Sequence, residues 1–316
     1  MEGGTSLYEI FRFSFVEGIA RIGVPLFFFI SGFLFFYYDD FSKNVYLGKI
    51  KKRFKSLVVP YIFWNLVVVG FYFMAQMVVP SMMSGQMKLV ADFTMSDWLS
   101  CFWNFKDGGP VNLPLWFLRD LICLSIGTPL ICLFVKMCRI YGVVLLAACW
   151  LIFGTPTNFL VGLFFFTAGA WFGINKVDVV EKVLPYRKMS AAAYFLVMIA
   201  GIAMLLVGFP SGEYLHKLGI LFGLGACFAW AGWIVKTKNI RRRAWLEDSS
   251  FLVYAYHGLP LLFLSKICVR YIQPESSAML IFLFIVLPVV IGAVGVAIYA
   301  VMKRFFPCFT SWMCGK

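Results

Sequence analysis

Residues 21–38 read RIGVPLFFFISGFLFFYY. Eighteen residues with one charge, at the edge, are enough to cross the hydrocarbon of a bilayer as a helix. Ser31-Gly32 interrupts the aromatic block. Small residues in such a setting serve where helix backbones must approach closely. The rest of the chain has the same character. It has 316 residues, of which 62% are hydrophobic and 14% charged, with a mean hydropathy of +0.87. A soluble domain of that length needs far more polar surface, so the composition points to a membrane protein.

Apolar runs of crossing length, or nearly so, fall at 22–38, 57–79, 114–135, 141–154, 158–174, 190–208, 218–235, 249–266 and 278–302. The expected fold is therefore all-α, a polytopic membrane helical bundle of about nine transmembrane helices forming a single domain over residues 1–316. The 141–154 run is short, and Gly154-Thr155-Pro156-Thr157 supplies a turn before the next span. Basic residues alternate between loops: one side collects 20 of the 28 and the other 7, with Arg119 inside a span. By the positive-inside rule the N-terminus faces outward and the C-terminus faces the cytoplasm. The net charge of +13 thus describes membrane loops, and no nucleic-acid partner is expected. No cleavable signal is visible at the start. Residues 1–20 read instead as an outer loop helix, with Ser6 and Glu9 at capping-box spacing and Glu17 and Arg21 four apart. The longest outer loop is 80–112.

Few residues suit chemistry. Nine cysteines lie mostly in apolar runs without CxxC spacing, and only two histidines occur, so no metal site is expected. Lys51-Lys52-Arg53-Phe54-Lys55 precedes the second span. It fits either an interfacial lipid-phosphate patch or a site for a polyanionic cytosolic ligand, with Arg53 offering a planar fork. Arg119-Asp120 lies inside PLWFLRDLICL, about 8 Å along the helix from Pro114. Ionisable residues at such depth face a cavity or a partner, and adjacent positions point apart, so each is expected to find its own partner. His257 falls about 12 Å into the span beginning near Ser249, where it serves either as a hydrogen-bonded core residue or as a proton acceptor. His216 reads as a solvated interface residue. In the outer loop, Trp98, Trp103 and Asp107, with Asp97 and Asn112 nearby, suit stacking and hydrogen bonding to a sugar. A headgroup-level aromatic belt accounts for the tryptophans equally.

Four stretches, RIGVPLFFFISGFLFF (21–36), KKRFKSLVVPYIFWN (51–65), PLWFLRDLI (114–122) and SSFLVYAYHG (249–258), together resemble the membrane-bound acyltransferase 3 family, in the family's order and across essentially the whole chain. The resemblance implies a ten-helix domain in the bacterial inner membrane. Such a domain moves an acyl group from cytosolic acyl-coenzyme A, acetyl-coenzyme A being the expected form, to a sugar hydroxyl of an envelope polysaccharide or glycolipid on the outer face. Under it, Lys52, Arg53 and Lys55 meet the donor's phosphates, Ser31 and Gly32 pack along the donor's passage, and Arg119, Asp120 and His257 are the catalytic candidates. Trp98, Trp103 and Asp107 face the saccharide acceptor, and membrane lipid surrounds the whole. The family's first helix carries a basic residue followed eleven positions later by a histidine. Here eleven past Arg12 is Gly23 and eleven past Arg21 is Gly32, so a chain lacking that helix is expected. The paired-arginine motif is also altered, to Lys52-Arg53-Phe54-Lys55. The competing expectations are a transporter or flippase of envelope precursors, and a truncated, inactive relative.

Overall fold

In the computed structural model, residues 6–78, 88–104, 108–155, 158–208, 213–238 and 243–316 are described, and they contain helices and no strand. In chain order the helices are α1 (Leu7–Tyr37), α2 (Lys43–Val78), α3 (Met95–Ser100), α4 (Trp116–Ile126), α5 (Thr128–Phe153), α6 (Phe159–Ile174), α7 (Val179–Leu206), α8 (Tyr214–Thr237), α9 (Ala244–Tyr256), α10 (Gly258–Ile272), α11 (Ser277–Phe305) and α12 (Pro307–Met313). By length and composition α1, α2, α5, α7, α8 and α11 can each cross a membrane, and α9–α10, bent by 61° at His257, are together apolar enough for a broken span or a re-entrant loop. The protein is an all-α, multi-pass membrane protein.

Besides the break of the 249–266 run at His257, the nine expected runs are partitioned differently in two places. The run 114–135 is cut at Gly127, before Thr128-Pro129, into the eleven-residue α4 and the start of α5. Within α5 the helical conformation breaks at Arg139 (φ 50°, ψ −138°), between the runs read as separate spans. The run 158–174 becomes α6, which at 16 residues is shorter than a usual crossing helix.

The described residues fall into two compact units. The first draws on Met1–Tyr46, Ile126–Arg242 and Pro274–Phe284. Its centre is α6, buried on every side through Phe164, Phe165, Phe166, Thr167 and Ala170, as befits a helix apolar all round. Gly32 of α1 lies against it: a β-carbon there would stand 2.0 Å from the carbonyl oxygen of Phe166. Gly169 of α6 returns the contact, a β-carbon there meeting the carbonyl oxygen of Phe29 at 2.0 Å. The backbones touch because neither glycine carries a side chain. Lysines close two helix ends: Lys176 Nζ donates to the carbonyls of Phe36 and Tyr37 (3.2 and 2.7 Å), and Lys217 Nζ to that of Leu151 (2.9 Å). At the start of α1 the Ser6–Glu9 capping box and the Glu17–Arg21 pair (2.6 Å) both form. Residues 13–20 follow as a π-helical stretch that leads without a break into Arg21–Tyr37. His216 departs from its expected solvated position. Helix α8 has already begun at Tyr214, which turns the imidazole inward, 5.3 Å from the Phe13 ring and 3.9 Å from Glu17 Oε2.

The second unit draws on Leu47–Ser125, Arg243–Gln273 and Ile285–Lys316. Tyr61, Trp64, Leu115, Leu118, Leu252, Ala255, Tyr299 and Met313 form its core. In α2, residues 54–58 are π-helical just before Pro60, which has no N–H to return to Ser56 and whose ring crowds that carbonyl. The C-terminal turn packs there: Gly315, with φ of 71°, approaches so closely that a β-carbon would lie 2.4 Å from the Ser56 oxygen.

Candidate functional site

The second unit gathers most of the polar residues singled out in the sequence, and α4 organises them. Arg119 and Asp120 are 8% and 1% exposed. They do not find separate partners. The arginine stem is long enough to fold back on its neighbour, and Nε and Nη2 both donate to Asp120 Oδ1, at 2.8 and 2.7 Å. Because both bonds fall on one oxygen, Arg119 Nη1 and Asp120 Oδ2 are left buried without a hydrogen-bond partner among the described residues. A buried polar atom left so costs about 1–3 kcal/mol, and here a donor and an acceptor lie on the same ion pair. The guanidinium also stands 5.0 Å from the centre of the Trp103 ring, so the structure brings that loop tryptophan to Arg119.

Six residues past Arg119 along α4, about 9 Å, Ser125 accepts from Arg53 Nη1 (3.1 Å) and donates to the Leu121 carbonyl (2.6 Å). Arg53 is half-buried and committed to this contact, while Lys52 and Lys55 are exposed. The three cations of the motif thus divide into one that reaches the core and two that face outward.

The start of α4 meets the break between α9 and α10. The Tyr254 hydroxyl donates to the Pro114 carbonyl, and a β-carbon on Gly258 would stand 2.8 Å from the Pro114 ring. His257 sits in this break, its Nδ1 2.7 Å from the Tyr254 carbonyl. A carbonyl only accepts, so Nδ1 is the donor of this bond. Tyr61 links the groups: its hydroxyl donates to the Phe102 carbonyl, and it lies within electrostatic reach of Arg119, Asp120 and Tyr254.

Two residues were missed as anchors. Asn65, fully buried, accepts from the Asn112 backbone N–H (3.1 Å), and Asn112 Nδ2 donates to the Ala255 carbonyl (3.0 Å). These amides tie α2, the approach to α4 and α9 together. Asn112 is therefore occupied in the core rather than offered to a sugar. The signal was an amide inside the apolar run of α2, which is costly unless satisfied.

Trp98 packs edge-on against Phe93 (5.5 Å) and remains partly exposed. Asp97 beside it is tied down by Lys88 (2.6 Å) and by the Thr94 hydroxyl and N–H (both 2.7 Å), which hold its carboxyl well below the usual carboxylate range. Asp107 lies outside the described residues. Ser31 and Gly32 belong to the first unit, where Gly32 is the α1–α6 contact and Ser31 is half-buried.

An ionisable pair buried in an apolar helical unit, with a histidine at a nearby helix break, sets the candidate site inside a polytopic membrane protein. The sequence matches the acyltransferase 3 family, described as "Acyltransferase domain", over residues 2–300, and the chain belongs to that family; it is an acyltransferase. It is similar to the succinoglycan biosynthesis protein ExoH of Rhizobium meliloti (strain 1021), with 28% identity over 275 residues, 83% of this chain and 71% of that protein. No solved structure matches it.

Proposed function

We propose that the protein is an O-acyltransferase of the bacterial inner membrane, oriented with its N-terminus outside and C-terminus in the cytoplasm. It takes an acyl group, in the first instance acetyl, from cytosolic acyl-coenzyme A and transfers it to a sugar hydroxyl of an envelope polysaccharide or glycolipid. The relative's role in succinoglycan biosynthesis supports a polysaccharide acceptor. The observation that carries the reading is the layout of α4, with Arg53 bound at one end and the Trp103–Arg119–Asp120 group at the other, about 9 Å apart along one helix. Arg53, Lys52 and Lys55 bind the donor's phosphates, for which a basic funnel is suited. His257 Nε2 takes the proton of the acceptor hydroxyl as its oxygen bonds to the thioester carbonyl carbon. Arg119 Nη1 donates to the oxyanion that forms. The carbon–sulfur bond then breaks, and the histidine returns the proton to the leaving thiolate. Asp120 orients Arg119, and Trp103 and Trp98 stack on the sugar.

The test uses the purified full chain with labelled acetyl-coenzyme A and an oligosaccharide acceptor. His257→Gln is expected to lower kcat about 10²–10⁴-fold with little change in thermal unfolding. Changing Lys52, Arg53 and Lys55 together to Gln should raise the donor KM. Unchanged rates in both variants, or proton-coupled solute uptake with no donor present, would overturn the assignment.

A further inference from the structure

At the charged end of α11 a cleft of about 380 Å³ is lined by Trp245 of α9 and by Val296, Tyr299, Ala300, Lys303 and Arg304. Val296 and Lys303 are seven residues apart, about 10 Å along the helix. The wall therefore passes from aliphatic (Val296, Ala300), through aromatic (Tyr299, with an exposed Trp245), to cationic (Lys303, Arg304). That is the order of layers met on leaving a bilayer: hydrocarbon, the interfacial level favoured by Trp and Tyr, then the charged surface. Since α11 is long and apolar enough to cross the membrane, its basic end sits at the water boundary.

The charges at the mouth are not balanced locally. Lys303 Nζ bonds one oxygen of Asp248 at 2.7 Å and Lys316 Nζ the other at 2.5 Å, so two lysines share one carboxylate. Both ammonium groups also lie over the Tyr299 ring, at 5.6 and 5.7 Å from its centre. Arg304 differs. Among the described residues no carboxylate pairs with it; its guanidinium lies 5.8 Å from the Phe305 ring centre and is exposed. A planar fork with open donors above an apolar wall is suited to a phosphate attached to a hydrocarbon chain.

We propose that this cleft binds an anionic phospholipid, its phosphate held by Arg304 and Lys303 and one acyl chain lying along Val296 and Ala300. A free phosphate or a nucleotide shares the cationic contacts but gains nothing from the aliphatic wall, and that wall is what favours the lipid. The site is separate from the polar cluster on α4 and does not depend on the acyl-transfer reading.

The experiment measures retention of dioleoyl phosphatidylglycerol and dioleoyl phosphatidylcholine by the full chain in detergent, using native mass spectrometry. The protein is expected to prefer phosphatidylglycerol. Arg304→Gln should weaken its retention about fivefold, and Ala300→Trp, which fills the aliphatic wall, should weaken both lipids. Lys188→Gln removes an exposed charge elsewhere and should leave the preference intact. The proposal is overturned if Arg304→Gln retains the wild-type preference, if Lys188→Gln weakens it equally, or if inorganic phosphate competes while Ala300→Trp has no effect.

Discussion

Replacing Gly32 by alanine tests how the first unit is held together. A β-carbon at this position would lie 2.0 Å from the Phe166 carbonyl oxygen, 2.9 Å from its carbon and 3.1 Å from the Ala170 nitrogen. All three are backbone atoms of α6, so no rotamer change relieves the clash. Carbon-to-oxygen contacts of this kind settle at about 3.3 Å, so α1 and α6 must separate by about 1.3 Å. Such overpacking costs about 1–3 kcal/mol, and the gain of up to about 1 kcal/mol from alanine's helix propensity offsets part of it. Gly23, in the same helix, has nothing within 4 Å of its would-be β-carbon, so Gly23→Ala receives the propensity gain without the clash. Unfolding in detergent should rank Gly23→Ala at or above wild type and Gly32→Ala below it. The reciprocal contact, Gly169 against the Phe29 oxygen at 2.0 Å, extends the argument. Once one alanine has parted the helices, the second meets less resistance, so the Gly32→Ala/Gly169→Ala pair should cost clearly less than the sum of the singles. A Gly32→Ala protein as stable as Gly23→Ala, or strict additivity in the double variant, would refute the reasoning.

Two further outcomes follow from the second unit. Arg119→Ala leaves the Asp120 carboxylate buried and unpaired, which should destabilise the fold by about 3–5 kcal/mol in equilibrium unfolding. Arg119→Met/Asp120→Leu should recover most of that stability yet transfer no acyl group, separating the pair's structural role from its chemical one. Asp97 has a depressed pKa, so its contribution to the loop before α4 is present above the unfolded carboxylate range and is lost as pH falls through the lower folded value. Amide exchange at Met95–Ser100, corrected for intrinsic rates, should stay slow to below about pH 4. In Asp97→Asn it should already be fast at pH 7; a wild-type loop that opens between about pH 5 and 4 would contradict this.

The candidate positions were legible because ionisable residues inside apolar runs are conspicuous, and Arg119, Asp120 and His257 all lie in the second unit, at or near α4. Their pairing was not legible. The rule that adjacent helix positions point apart holds for Cβ directions, but a guanidinium several bonds away can turn back to its neighbour. Trp103 could be named from its aromatic setting, whereas its approach to Arg119 depends on how the loop before α4 folds. The bond between Asn65 and Asn112 was not legible because an isolated amide gives no hint of a partner 47 residues away.

The sequence by itself determined the membrane class, the helical fold, most of the span positions and the acyltransferase family. Hydrophobic run length and the need to satisfy every backbone polar group within lipid leave a chain like this few options. Tertiary structure alone decided which contacts those helices make. It set Gly32 against Phe166, folded Arg119 onto Asp120, anchored His257 through Tyr254 and left Arg304 open at its cleft. Such choices depend on distances between segments far apart in the chain, and hydropathy carries no record of them.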